Sequence, residues 1–327
     1  MNIWSKKMLM SNNNKTRGYL LFNNTIIDLK DLGIENIDIE KSFGTRDNLI
    51  ASNYIVINDT PYQATLSGLI KLSDINNWEM VTNYYLLNKD TSAYVMSNSG
   101  ITKINTTNTT FKKICGTALL GVNNYLYLKY GAYTICGVSE NVSELTDWCL
   151  TNTATKQTYI FPSQAAMSYS SGYDIRALPF LSHGGITKYF TSSVMRSDNA
   201  IYYISGGTST MAVLSKISEI TPASDINVIP IMARNGNYIV EKLIVLNNGS
   251  LYFGNTTTPT LISEGGWTAI SGHAIRGATT ISYYGIRNGK VYRGNGNDEL
   301  TKLPIKNAKY IYGCSTDTAP ALVLCQG

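Results

Sequence analysis

The chain alternates short β-prone runs with clusters of turn residues. One run, Leu243-Ile244-Val245-Leu246, breaks at Asn247-Asn248-Gly249 and resumes as Ser250-Leu251-Tyr252-Phe253-Gly254-Asn255. Forty residues on, Tyr283-Tyr284-Gly285-Ile286 breaks at Arg287-Asn288-Gly289 and resumes as Lys290-Val291-Tyr292-Arg293-Gly294-Asn295. Asn248, Gly249, Tyr252, Gly254 and Asn255 thus recur at one offset, as Asn288, Gly289, Tyr292, Gly294 and Asn295. Asn-Gly between β-prone runs tolerates positive φ at both central positions, so each copy predicts a hairpin with a type I′ turn. A polar loop then leads to a third short strand, Trp267–Ile270 in the first copy and Ala308–Tyr312 in the second. Apolar residues nowhere follow the spacing i, i+3, i+4, i+7 beyond a turn or two, so little helix is expected.

Weaker copies precede these. Tyr54–Ile57 leads through Asn58-Asp59-Thr60-Pro61 and Gly68–Leu72 to Trp78–Val81, which sets Trp78 beside Trp267 as an equivalent position. Tyr94–Ile104 leads to Phe111–Gly116, Tyr125–Gly137 leads to Trp148, and Val194–Ser205 forms another hairpin. The chain stops at Ala321–Cys325, the first strand of an unfinished repeat, and opens at Tyr19–Asn23, the second strand of a repeat lacking its first. Joined, they complete one blade and give both terminal strands a partner. The expected architecture is an all-β propeller of about seven blades, closed by the N- and C-terminal strands. Residues 1–17 read as a basic arm and 18–327 as the propeller, with 151–192 a divergent blade or an insertion.

The order strand, Asn-Gly turn, Val/Leu-Tyr-x-Gly-Asn, loop and short strand ending in Gly resembles the RCC1-type repeat of seven-bladed propellers. Gly249–Asn255 with Trp267–Gly272, and Gly289–Asn295 with Tyr310–Gly313, carry that resemblance. Tyr252-Phe253-Gly254 and Tyr292-Arg293-Gly294 stand where such repeats have Tyr-x-Trp-Gly. That departure points away from the nucleotide-exchange and chromatin roles of the founding member and leaves the relatives that bind protein partners. Fold resemblance does not carry function by itself.

Charge narrows the classes further. Only 15% of the 327 residues are charged, against 43% hydrophobic. Tyrosine dominates the aromatics, 23 against 7 Phe, which suits half-buried pleated surfaces. Of the net charge of +5, four charges are Lys6, Lys7, Lys15 and Arg17. The rest of the chain is nearly neutral, without the broad basic stripe of a nucleic-acid binder. The five cysteines, Cys115, Cys136, Cys149, Cys314 and Cys325, form no CxxC pair and are odd in number, so buried reduced thiols are expected. Neither a secretory leader nor a membrane-spanning apolar stretch is evident. Triplets such as Asn105-Thr106-Thr107 arise from composition.

The search for chemistry is short. The two histidines, His183 and His273, lack a nucleophile signature and read as turn or loop residues. Cysteine and histidine spacing does not fit a zinc site, and no calcium loop appears. Gly285–Lys290 (Gly-Ile-Arg-Asn-Gly-Lys) has the wrong spacing for a phosphate loop, and its Asn-Gly has a turn to make. No cofactor, metal or catalytic residue is therefore expected. A carboxylate pair in a tail-associated glycan depolymerase is the enzymatic alternative.

Loops rich in Tyr, Ser, Gly and Asn favour binding, because they offer large contacts at modest entropy cost. Met167–Tyr173 has that composition and breaks the repeat. Tyr169 and Tyr173, with Tyr130, Tyr133 and Trp148, form the candidate contact surface; the competing reading makes these aromatics blade core. The arm at 1–17 reads as a docking segment or a leader. An Asn-, Ile-, Lys- and Tyr-rich composition resembles that of A/T-rich bacteria and their phages. The expected role is a non-enzymatic, multicopy component of a phage tail or phage-like particle, made in the bacterial cytoplasm and located on the virion. Its partners would be other particle proteins and a host-surface glycan or protein receptor, without nucleic acid or membrane insertion. A purely architectural particle protein and an RCC1-like regulatory module are the other readings.

Overall fold

The computed structural model describes the backbone of residues 16–327, apart from 24, 46–51, 106–109, 116–117, 125, 131–133, 140–143, 147–148, 153–156, 161–175, 179–185, 191–193, 198–199, 208–211, 218–219, 221–224, 233–238, 256–257, 273–281, 296–298 and 314. Side chains are described for 16–23, 25–45, 52–105, 110–114, 118–124, 127, 200–202, 215–217, 220, 246–254, 258–271, 283–294, 300–313 and 315–327.

The chain opens with the hairpin β1 (Arg17–Phe22) and β2 (Thr25–Asp28). Two short 3-10 turns follow, Leu29–Leu32 and Ile39–Lys41, started by the Asp28 and Asp38 carboxylates accepting from Lys30 N and Glu40 N. Sheet I holds β3 (Phe43–Gly44), β4 (Tyr54–Ile57), β5 (Thr60–Thr65) and β6 (Gly68–Lys71). Sheet II holds β7 (Trp78–Val81), β8 (Tyr85–Asn88), β9 (Ala93–Ser97) and β10 (Gly100–Lys103). Sheet III holds β11 (Phe111–Cys115), β12 (Ala118–Gly121), β13 (Leu126–Tyr130) and β14 (Thr134–Ser139). Sheet IV holds β15 (Glu144–Thr146), β16 (Cys149–Asn152), β17 (Gln157–Ile160) and β18 (Arg176–Leu178). Sheet V holds β19 (Ile186–Phe190), β20 (Val194–Ser197), β21 (Ala200–Gly207) and β22 (Ala212–Ile217). Sheet VI holds β23 (Asp225–Met232), β24 (Ile239–Asn247), β25 (Ser250–Asn255) and β26 (Pro259–Ser263). Sheet VII holds β27 (Trp267–Gly272), β28 (Ser282–Arg287), β29 (Lys290–Asn295) and β30 (Glu299–Lys306). Sheet VIII combines β31 (Ala308–Tyr312) and β32 (Ala321–Cys325) with β1 and β2.

Every sheet is antiparallel, and strands pair in chain order except at the termini. There β1 lies against β32, from Arg17↔Cys325 to Leu21↔Ala321. The first strand of each sheet touches the next sheet, and contact returns from β32 of sheet VIII to β3 of sheet I. The apolar core sits in the slices between neighbouring sheets. Leu20, Phe22, Leu322 and Leu324 meet Ile55, Ile57 and Ala64 between VIII and I. Val56, Trp78, Leu86 and Tyr94 fill the slice between I and II, and Tyr85, Leu87, Phe111, Ile114 and Leu119 that between II and III. Phe253, Trp267 and Tyr283 lie between VI and VII; Tyr284, Ile286, Val291, Val323 and Cys325 lie between VII and VIII. Each fully buried side chain of this size contributes about 1.5–3 kcal/mol. Successive four-stranded sheets packed face to face make this a β-propeller.

Two sequence expectations change, and the repeat count falls within one of that expected. Eight four-stranded sheets stand where about seven repeats were expected among the described residues. The additional one is sheet IV, which overlaps the irregular 151–192 stretch; its strands are three or four residues long and its central hairpin lacks Asn-Gly. The expected third strands at Trp78, Phe111, Trp267 and Ala308 are instead first strands of the following sheets, β7, β11, β27 and β31. Three of the strands they displaced, β6, β10 and β26, are four or five residues long with no buried residue, so their apolar pattern is faint. Arg17, placed in the arm, begins β1.

Candidate functional site

The expected contact residues fall largely beyond the described side chains. Tyr130 ends β13 with its backbone paired to Thr134, and its side chain is not among those described. Tyr133, Trp148, Tyr169 and Tyr173 lie outside the described residues, as do His183, His273 and residues 1–15. Among the cysteines, Cys325 is a buried free thiol, which burial and the nearby Asp28 push up to about 12.

What the structure does assemble is a hydrogen-bonded rim. In sheets I, VI and VII the turn between second and third strands has positive φ at both centres: Asn58 and Asp59, Asn248 and Gly249, Asn288 and Gly289. These are the type I′ turns that Asn-Gly predicts. Each turn also grips its neighbour. Trp267 N donates to Gly249 O at 3.0 Å, Ala308 N to Gly289 O at 2.9 Å, and Phe111 N to Thr91 O at 2.8 Å. Between sheets I and II the Asp59 carboxylate takes over, accepting from Asn77 N at 2.8 Å and Trp78 N at 2.9 Å. A second set of bonds stays within each sheet. The residue before a first strand accepts from the residue following the second: Lys89 N to Asn77 O at 2.8 Å, Asn288 N to Gly266 O at 2.9 Å and Gln326 N to Asn307 O at 2.8 Å. Asn77, Gly266 and Asn307 all carry positive φ, which turns the chain sharply into the next sheet.

Just past that turn the first strands bulge. The register slips between Trp78 and Met80, Phe111 and Lys113, Ile186 and Lys188, Trp267 and Ala269, and Ala308 and Tyr310. A bulge leaves one residue unpaired and re-aims its side chain. The described bulge residues are Glu79, Lys112, Thr268 and Lys309, and all are exposed. The residue before each is Trp78, Phe111, Trp267 or Ala308, and all are buried. A buried anchor therefore fixes each bulge while the projecting residue differs in charge and size from sheet to sheet. Lys112 Nζ reaches back to Asn124 Oδ1 in the tight turn of its own sheet, and Lys309 Nζ lies 5.2 Å from the Tyr310 ring centroid. Sequence reading missed these positions, although a polar residue interrupting Trp-x-Met, Phe-x-Lys-Ile or Trp-x-Ala-Ile was the available sign.

The rim's chemistry is that of hydrogen-bonding and charged groups among the described residues. No group of three His, Cys, Asp or Glu there could hold a metal. The hollow beside Arg17, Asp28, Lys30 and Glu35 includes neither histidine nor cysteine in its lining. The arrangement offers rigid presentation of hydrogen-bonding and charged groups.

No family model and no curated protein matches the chain. Among solved structures it is similar to PorZ, described as an essential bacterial surface component of the type-IX secretion system of Porphyromonas gingivalis. Identity is 10%, coverage is 81% of this chain and 39% of PorZ, and the TM-score is 0.41. It is also similar to YCF48 bound to a D1 peptide, at 12% identity, covering 77% of this chain and 96% of that one, with TM-score 0.41. The chain thus corresponds to well under half of PorZ. The propeller assignment rests on the sheets and slices described above.

Proposed function

We propose that this chain is a non-catalytic binding propeller. In this reading its eight sheets are blades of a ring closed by β1 and β32, and its repeat is a variant of the RCC1 type. It serves as a component of a phage tail or phage-like particle and attaches to a host-surface glycan or protein. The observation that carries the binding reading is the rim: a recurring hydrogen-bond scheme between sheets, made by backbone carbonyls or the Asp59 carboxylate, presenting dissimilar exposed residues at Glu79, Lys112, Thr268 and Lys309. A scaffold that fixes the backbone and varies the tips suits recognition. The particle assignment draws on composition. Attachment would gain from multiple copies, which multiply weak single-site affinity.

Incubating purified, labelled protein with whole cells of candidate hosts, with glycan-stripped cells as control, tests this. Saturable, glycan-sensitive binding to one host is expected. Absence of binding to every host of a related phage would exclude attachment.

Exposed apolar side chains on outer strands and their loops favour an architectural role as the second reading. Leu66, Ile70 and Ile75 around β6, Ile26 on β2 and Leu261 on β26 are all exposed. That reading expects these edges to be covered by neighbouring proteins in the particle, which cross-linking of intact particles would detect.

A further inference from the structure

One end of sheet VII carries an unusual row of cations. Arg287 ends β28, Lys290 begins β29 and Lys306 ends β30. Arg287 pairs directly with Lys290, and Lys290 directly with Lys306. Directly paired residues in antiparallel strands point to the same face, and adjacent strands lie about 4.8 Å apart. The three cations therefore form a line across three strands on one face. Lys302 lies nearby on β30, beyond a register shift, where it pairs with Tyr292, two residues along β29 from Lys290. Like charges directly opposite one another are destabilising, so this arrangement is not what strand pairing alone would select.

The row is held in place and left uncompensated. Arg287 Nε donates to Gly265 O at 2.9 Å and its Nη2 to Glu264 O at 2.6 Å, which fixes the guanidinium on neutral carbonyls. Lys290, Lys302 and Lys306 are exposed, and none of the four cations forms an ion pair among the described residues. Glu264, whose carbonyl forms part of that anchor, is the acid beside Arg287, and it too is exposed. The segment bearing Arg287 and Lys290 is the Gly-Ile-Arg-Asn-Gly-Lys stretch. Its Asn288-Gly289 makes the type I′ turn, and that turn is what sets the two cations side by side.

We infer that the row Arg287, Lys290, Lys306, with Lys302 behind it, is a binding site for an acidic polysaccharide. A linear polyanion laid across the strands would meet successive cations at intervals on the order of one sugar residue. Single-stranded nucleic acid fits less well, because it needs aromatic platforms for its bases. The tyrosine on this face, Tyr292, is instead packed against Trp267, with ring centroids 5.6 Å apart. The inference rests on the binding reading above, and adds the ligand's charge and the place where it lies.

The test is fluorescence anisotropy of labelled polygalacturonate with the full-length protein over a range of NaCl. The Lys290→Gln/Lys306→Gln double variant should bind about tenfold more weakly and show a shallower salt dependence. Lys302→Gln should lose less, and Lys103→Gln, on the outer strand of sheet II, should bind like the wild type. Equal thermal midpoints show that folding is intact. Unchanged affinity in the double variant, or an equal loss in Lys103→Gln, would overturn the site. Tighter binding of oligodeoxythymidylate than of polygalacturonate would overturn the polysaccharide assignment. Loss of polygalacturonate binding with intact binding to host cells separates this site from the attachment reading.

Discussion

Asn23, in the loop between β1 and β2, joins three segments of chain. Its N–H donates to Thr316 O at 3.1 Å and its Nδ2 to Asp317 Oδ1 at 2.9 Å. Its Oδ1 accepts from Arg293 Nη2 and its backbone carbonyl from Tyr284 Oη, both at 2.9 Å. One side chain thus ties the N-terminal hairpin to sheet VII and to the loop before β32. Asn23→Ala removes two bonds to charged partners and should cost ~2 kcal/mol, read as a lower urea midpoint at unchanged slope. Burial also makes stability sensitive to alkali. It pushes the Tyr283 hydroxyl up to about 12 and the Cys325 thiol up to about 12, and raises Tyr85 strongly. Each group keeps its proton longer folded than unfolded. Its contribution is complete below its unfolded value, near 9 for the thiol and 10 for the tyrosines, and is lost as pH climbs toward 12. The Tyr85 and Tyr283 hydroxyls are buried with no hydrogen-bond partner among the described residues. Tyr283→Phe should therefore be nearly neutral at pH 8 and lose less stability than the wild type between pH 10 and 12, measured by denaturant titration. Sequence reading placed Tyr283 in a strand and did not single out Tyr85. Their burial depends on the neighbouring sheet's packing, which local pattern does not encode.

Hairpins were the most legible elements, because Asn-Gly and Asn-Asp state their own backbone geometry. Asn248-Gly249 and Asn288-Gly289 adopt the turn expected of them. Assigning strands to sheets was harder. Trp267–Ile270 follows the Asn248-Gly249 hairpin in the chain, yet it pairs with β28 of the following sheet. The bulge after Trp267 disguises its alternation, and no residue of the outer strand β26 is fully buried. The junction itself depends on particular groups. Between sheets I and II the Asp59 carboxylate does what a backbone carbonyl does elsewhere, holding Asn77 N and Trp78 N. Asp59→Ala leaves two amides at the start of β7 without that acceptor and should cost about 1–3 kcal/mol. The same change at Asp74, whose exposed carboxylate pairs with Lys71, should leave the unfolding midpoint almost unmoved.

At the scale of the whole molecule, the repeat pattern made a propeller legible, since strands of even spacing with one recurring turn have few other ways to bury their faces. Sheet IV was the least legible repeat because it has neither the Asn-Gly turn nor long strands. The candidate site was less legible still. Tyr130, Tyr133, Trp148, Tyr169 and Tyr173 drew notice through composition, whereas the rim arises from register slips that recur at one position of the sheet. Such slips show in sequence only as a polar residue after a buried anchor. The rim and the cationic row meet at the Asn288-Gly289 turn but use different side chains. Rim substitutions should alter host binding, and row substitutions should alter polyanion binding. The most direct test is saturation binding to host cells, comparing the wild type with a variant carrying Glu79→Ala, Lys112→Ala, Thr268→Ala and Lys309→Ala at equal thermal stability. The binding reading predicts saturable attachment by the wild type and at least a tenfold loss in the variant. Equal binding by the two proteins would contradict it.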